Sequence, residues 1–162
     1  MTYNYSITAP ENSAKAYGVG LTISRKQAIE VCKFIRNKPV EKAKKMLESV
    51  IKMERPVPFT RYMHNIGHRK GDLTAGRYPT KTCVEVLKLI KSAESNAQYK
   101  GLSSANLFVD HIRVQQGPQT LRGSRQGRVK AKRTHVEVIL IEKKENKNSK
   151  KDNKKNEKKA QK

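Results

Sequence analysis

The sequence predicts an α+β domain: a small antiparallel sheet packed with three helices, from which a long β-hairpin arm extends. Two strand-like runs, 107–116 and 134–141, alternate apolar and polar residues near the end of the chain. Three segments with helical apolar spacing precede them, and only one weak alternation lies ahead of those segments. Adjacent strand runs pair as a hairpin, and these helices are grouped rather than interleaved with strands. The pattern therefore indicates α+β and not alternating α/β.

The elements ahead of the hairpin follow from apolar spacing and from breaker residues. Residues 3–7 alternate weakly as a strand, and residues 9–20, with two glycines, are interpreted as a loop. A first helix is predicted over 24–38. A second helix over 39–55 opens on a proline, a residue favoured at the first helical position. The third and longest, over 79–101, ends on a glycine placed to terminate it.

The hairpin over 107–141 has the strongest charge bias in the chain. Alternation predicts one buried face on each strand: Phe108, Ile112 and Val114, then Val136, Val138 and Leu140. The connector between the strands, 117–133, is far longer than an ordinary hairpin loop. If pairing continues along it, the arm is on the order of 50 Å long. Between 113 and 133 there is no acid, and there are seven cations: Arg113, Arg122, Arg125, Arg128, Lys130, Lys132 and Arg133.

An arm with so little apolar surface cannot pack against its own body, and its cations repel one another in water. It therefore needs an anionic surface, which we interpret as nucleic acid. Pro118 cannot donate to a strand ladder, so the pairing is predicted to break or bend beside it. A solvated, flexible loop is the alternative.

Composition supports a polyanion-binding protein beyond the arm itself. The 162 residues carry 36 Lys and Arg against 14 acids, a net charge of +22. The Lys-rich tail 143–162 contributes +7 of this and is predicted to be disordered, which leaves +15 on residues 1–142, the single predicted domain. Such a balance favours phosphate or an anionic membrane surface. No apolar run is long enough for a membrane span and no signal peptide is visible, so we expect a cytoplasmic protein.

The long segment 55–81 is the second candidate binding element. It shows no periodicity, and long ordered loops in compact domains usually carry function. Its cations alternate with aromatic rings, a mixture that suits RNA, whose phosphates take the charge and whose unstacked bases take the rings. An ordinary basic surface loop is the alternative. The residues concerned are Arg61, Tyr62, His64, His68, Arg69, Lys70, Arg77, Tyr78 and Lys81.

The sequence contains little that indicates a metal site or a catalytic site. His64 and His68 are four residues apart, but Gly67 lies between them and no third ligand is evident, so no metal or other cofactor is expected. His111 and His135 lie on opposite hairpin strands as candidate cross-strand neighbours with a structural role. Cys32 and Cys83 stand alone inside helical patterns and are interpreted as small core residues. The lack of a disulfide pattern indicates a reducing compartment. The sequence has no nucleophile–base arrangement, no phosphate-cradling glycine loop and no catalytic carboxylate pair, so we expect that the protein is not an enzyme.

Four strings make a family resemblance specific. They are VPFTRY at 57–62, GHRKGDLTAGRYPTK at 67–81, AESNAQYKGL at 93–102 and HVEVILIE at 135–142. Together with the basic hairpin they resemble the large-subunit ribosomal protein family numbered twenty-two in bacteria and seventeen in the eukaryotic cytosol. The similarity is of the archaeal or eukaryotic type and spans about Tyr5 to Glu142. Near the tip, this chain has Gly-Ser-Arg-Gln-Gly-Arg at 123–128 where relatives usually carry Pro-Arg-Ala-x-Gly-Arg, and its connector is a few residues shorter.

The resemblance implies a structural constituent of the large ribosomal subunit. It implies a cytoplasmic, ribosome-bound protein that binds large-subunit ribosomal RNA, supports assembly, and helps line the nascent-peptide exit tunnel with its hairpin. Its partners would be ribosomal RNA, neighbouring ribosomal proteins and the nascent peptide near the hairpin tip, and not a membrane or a second copy of itself. The positions that match the family's RNA-contacting segments are Ser24, Arg25 and Lys26, then Arg61, His68, Arg69, Lys70, Arg77 and Lys81, then Arg122, Arg125 and Arg128. The competing interpretation is an architectural DNA-binding protein, with Pro118 as an inserted wedge.

Overall fold

The computed structural model describes residues 5–70, 73–125 and 127–143. Within them a three-stranded antiparallel sheet packs against three helices, which confirms the predicted α+β class. The predicted tail 143–162 lies outside the described residues apart from Lys143. The elements are β1 (Ser13–Leu21), α1 (Arg25–Ile35), α2 (Val40–Ile51), β2 (Val57–Pro58), β3 (Gly76–Arg77), α3 (Thr80–Tyr99), β4 (Leu107–Gln116), β5 (Leu121–Ser124), β6 (Gly127–Lys130) and β7 (Thr134–Glu142).

The core lies between the helices and one face of the sheet, whose strand order is β1-β7-β4. The predicted inward residues of the central strand β7, Val136, Val138 and Leu140, are fully buried. Helix α3 contributes its predicted stripe, with Val86 and Ile90 also fully buried. Burying each such side chain stabilises the fold by about 1.5–3 kcal/mol. Tertiary packing, more than local propensity, therefore holds these helices in place.

Strand β1 corrects the prediction of a loop over 9–20. Its inward residues are Ala14, Ala16 and Gly18, which have low strand propensity and which suggest a loop in isolation. Small side chains are required here because α3 crosses directly over the strand. A Cβ on Gly18 would lie 2.7 Å from Leu89 Cδ1. Packing against α3 therefore determines the conformation of this segment. Its local sequence alone does not.

A β-bulge corrects the predicted face of β4. The pairing with β7 shifts between Val109 and His111, so one extra residue enters the strand. Val109 is buried before the bulge and Ile112 after it, whereas Phe108 lies on the opposite face and is only partly buried. The strict alternation that grouped Phe108 with Ile112 was therefore wrong at one position.

The arm leaves the sheet through a narrow neck. The Gly117 N–H donates a hydrogen bond of 2.9 Å to the Arg133 carbonyl, and a Cβ on Gly117 would lie only 3.1 Å from Arg133 backbone carbon. Beyond the neck, β5 and β6 pair as a separate two-stranded ribbon. The predicted interruption of the ladder beside Pro118 is confirmed, and pairing resumes further out along the arm.

The outer face of the sheet holds a buried carboxylate. Glu137 is 1% exposed, and it accepts hydrogen bonds from the Ser6 backbone N–H at 3.1 Å, from the Ser6 hydroxyl, and from His111 Nε2 at 3.1 Å. His111 pairs opposite Ile139, so the predicted proximity to His135 was wrong, although each histidine makes a structural hydrogen bond. Burial by itself raises the pKa of the Glu137 carboxyl. The hydrogen bonds from Ser6 and His111 outweigh burial and hold this pKa below its usual 4.5.

Glu137 should make folding stability depend on acidity. Because its pKa is lower in the folded state, its contribution is fully present above about pH 4.5 and is lost as the pH falls through the folded-state pKa. We expect Glu137→Gln to lower the free energy of unfolding by roughly 2 kcal/mol near neutral pH. Urea unfolding across the acid range should show the variant and native curves converging, with exposed Glu48→Gln as the control. A gap that stays constant with pH would contradict this role.

Candidate nucleic-acid interface

The loop after β2 is held by a carboxylate that sequence reasoning missed. Glu30, on α1, is 1% exposed and points at the backbone of residues 60–62. Its Oε1 accepts the N–H groups of Arg61 at 2.9 Å and Tyr62 at 3.0 Å, and its Oε2 accepts the N–H of Thr60 at 3.2 Å. No spacing in the sequence signals this contact, because its partners are some thirty residues away in the chain. The backbone from which the Arg61 and Tyr62 side chains extend is thereby held in place.

The remainder of the loop is ordered by its own polar contacts. Strands β2 and β3 pair as a short ribbon. Within the loop, Arg69 donates from Nε to the Gly76 carbonyl at 3.2 Å and lies 5.4 Å from the centre of the Tyr78 ring. Arg77 donates from Nη2 to the Asn65 carbonyl at 3.3 Å. The described part of the loop is therefore ordered by its own contacts, as expected for a long loop with this composition.

Three cavities meet where the arm joins the body, and Lys132 lines all of them. One, of about 270 Å³, lies between the start of α1 and the base of the arm. Another, of about 410 Å³, lies between α1 and the loop, and a third, of about 420 Å³, lies between the arm and the start of α3. Among the residues that the structure describes, no Asp or Glu lines any of the three. Ten predicted interface residues line them and form a surface here called the basic junction: Ser24, Arg25, Lys26, His64, Arg77, Lys81, Arg122, Lys130, Lys132 and Arg133.

The other seven predicted residues lie outside the basic junction. Arg61, His68, Arg69 and Lys70 are exposed along the loop, and Arg113 is exposed on β4. Arg125 and Arg128 are exposed at the far end of the arm, where Gly127 adopts φ +106°, a conformation that favours glycine. The structure thus groups three separated segments at the junction and leaves the arm tip as an outlying cationic element.

Helix ends add to the positive potential of the junction. Helices α1 and α3 both begin there, and neither has an acidic residue in its first turn. Each instead carries cations at its start, Arg25 and Lys26 on α1 and Lys81 on α3. The Ser24 side chain makes no capping hydrogen bond to the N-terminus of α1. Cations at the positive end of a helix dipole are unfavourable by a few tenths of a kcal/mol each, and a bound anion would offset that cost.

Other side chains with possible reactivity are structural. Burial raises the pKa of the Cys32 thiol to about 12, and it raises that of Cys83 to about 12, so both remain uncharged core residues as predicted. Among the described residues no group of histidines, cysteines and acids could hold a metal ion. Within the same ranges, no helix has the length and apolar character needed to cross a membrane.

Fold and surface together define a small, strongly basic α+β protein with a cationic hairpin arm. The chain belongs to the ribosomal protein L22p/L17e family, whose model matches residues 16–142. It is 42% identical over 133 residues to the large ribosomal subunit protein uL22 of Methanococcoides burtonii, covering 82% of this chain and 87% of that protein. It is 43% identical over 140 residues to uL22 of Methanocaldococcus jannaschii, covering 82% and 90%.

Family membership confirms two of the predictions. The resemblance, including its archaeal or eukaryotic type, agrees with these archaeal relatives and with a third, uL22 of Archaeoglobus fulgidus, which is 42% identical over 119 residues. The protein is not an enzyme, because the family consists of structural ribosomal proteins.

Proposed function

We propose that this protein is a structural constituent of the large ribosomal subunit in the cytoplasm and binds large-subunit ribosomal RNA through the basic junction, the loop 55–81 and the arm. It performs no reaction. Its cations neutralise phosphates, release counterions, and fix the relative positions of the RNA segments that they contact. The seventeen predicted interface residues, the outlying Arg113, Arg125 and Arg128 among them, are proposed as phosphate or base contacts.

The observation that carries this proposal is the convergence of cations on Lys132, with no acid between them in the part of the chain that the structure describes. Three chain segments far apart in sequence bring like charges together at the starts of two helices. Clustering of this kind opposes folding through self-repulsion unless an anion neutralises it. A folded RNA presents several closely spaced phosphates at once, which matches a junction built from three cavities better than a single small anion does.

The arm extends this interface away from the body. Residues 1–142 act as one unit in the proposal, with the arm laid inward along RNA and its tip at the wall of the nascent-peptide exit tunnel. Neighbouring ribosomal proteins and the passing peptide are the further partners, and one copy binds per subunit. Support comes from the exposed arginines of β5 and β6, and from the lack of acids between 113 and 133.

Competition binding tests the proposed choice of RNA. The full chain is bound to a labelled fragment of large-subunit RNA at one fixed salt concentration and is challenged with unlabelled RNA fragment or with duplex DNA. We expect the RNA to compete far more strongly, because ring-bearing and cationic surfaces suit unstacked bases and folded backbones. Equal competition by duplex DNA would favour the architectural DNA-binding alternative instead.

A further inference from the structure

The cavity of about 410 Å³ between α1 and the loop differs from the other two in being lined by aromatic side chains, Phe59 and Tyr62. Phe59 is 4% exposed, and Tyr62 and Ile66 are partly buried against the core. The volume falls within the roughly 300–1,000 Å³ of pockets that hold small organic ligands. Aromatic rings in the lining of a cavity offer a surface on which a base can stack.

We propose that this cavity receives one unstacked nucleobase of the bound RNA, with the face of the base on Tyr62. The inference rests on the proposed function and adds a base-binding site to it. Bases that leave a stack are commonly held on aromatic rings while their edges meet polar groups.

The Tyr62 ring is held in place before any ligand arrives. Its backbone N–H is bonded to the buried Glu30 carboxylate at 3.0 Å, and the ring packs against the core. Lys26 Nζ lies 5.6 Å from the ring centre and also lines the cavity. An entering base would take the place of this ammonium, and the flexible lysine side chain would then reach the attached phosphate.

The wall beside the ring carries the groups needed to meet the edge of a base. Ser24 and Gln27 line the cavity, and together they offer a hydroxyl and an amide that both donate and accept. Arg77 and Lys132 complete the lining as cations, with His64 beside them. One cavity therefore combines the three features that a nucleotide needs. The aromatic ring would contact the face of the base, the polar wall its edge, and the cations the phosphate.

Fluorescence of 2-aminopurine tests this site in the full-length protein. The probe is a short single-stranded RNA of uridines with one central 2-aminopurine, whose emission falls when the base stacks on an aromatic ring. We expect native protein to quench the probe at saturation. Tyr62→Leu should abolish the quench and weaken binding on the order of tenfold, while Tyr62→Phe should preserve both.

The arm supplies a control that separates this inference from the proposed function. Replacing Arg122, Arg125 and Arg128 with alanine should weaken binding while leaving the quench at saturation intact. If RNA binds but Tyr62→Leu quenches as the native protein does, the base site is wrong and the proposed function stands. If the native protein binds no RNA, the proposed function fails. If Tyr62→Leu does not fold, acrylamide quenching of the 2-aminopurine fluorescence is measured with the native protein instead. Acrylamide should quench the bound probe less than free RNA, and equal quenching of the two would overturn the site.

Discussion

Replacing Arg122, Arg125 and Arg128 with alanine is expected to flatten the salt dependence of RNA binding markedly. Each phosphate contact that is lost lowers the slope of log K against log salt by roughly 0.7–0.9, because one fewer counterion is released. Three lost contacts therefore reduce the slope by roughly 2–3 in total. The measurement is a titration of the full chain against a large-subunit RNA fragment at several salt concentrations. The affinity loss should be largest at low salt, where counterion release contributes most.

A variant of equal charge makes this test specific. Lys42 and Lys45 on α2 and Lys91 on α3 are exposed cations outside the proposed interface, and replacing all three with alanine removes the same net charge. The slope should then stay close to that of the native protein. If the lysine variant lowers the slope as much as the arginine variant does, binding depends on net charge alone and the arm is not the binding element.

Glu30→Gln is expected to destabilise the fold by about 3 kcal/mol and to loosen the loop that carries Arg61 and Tyr62. The carboxylate accepts backbone N–H groups at both of its oxygens. A glutamine amide has one accepting oxygen, so its NH₂ would face at least one N–H donor and leave it unsatisfied in a buried position. Urea unfolding measures the loss of free energy, with Glu48→Gln on the exposed side of α2 as the matched control.

Hydrogen exchange locates the effect of that substitution. The amides of Thr60, Arg61 and Tyr62 should exchange faster in Glu30→Gln, while amides in the β7 strand keep their order of protection. If the stability loss is below about 1 kcal/mol and these three amides stay protected, Glu30 does not hold the loop.

The arm and the central strand could be predicted from the sequence because their signals are local. Alternation identified β7, and the lack of acids between 113 and 133 marked the arm as a binding element. Strand β1 could not be predicted, because Ala14, Ala16 and Gly18 suit a strand only when α3 passes over them. The bulge after Val109 was likewise invisible, since it shifts the register without a glycine or proline to mark it.

The candidate site was predicted as a set of residues but not as an arrangement. Composition identified the cations of the loop and the arm, and the resemblance added Ser24, Arg25 and Lys26. Only the folded chain shows that Lys132 lies between them and lines all three cavities. Glu30 carried no signal, because an acid in an amphipathic helix ordinarily faces solvent. Contacts between distant segments determine both the position of Lys132 among the cavities and the burial of Glu30.

Ultraviolet crosslinking of isolated large ribosomal subunits, followed by mass spectrometry of this protein, tests most directly whether the arm and the basic junction face RNA. Peptides containing Tyr62, Lys132 and the arm arginines are predicted to carry crosslinked nucleotides, and peptides from the exposed side of α2 are predicted to carry none. Crosslinks confined to the α2 and α3 surface around Lys42, Lys45 and Lys91, with the arm unmodified, would contradict the account.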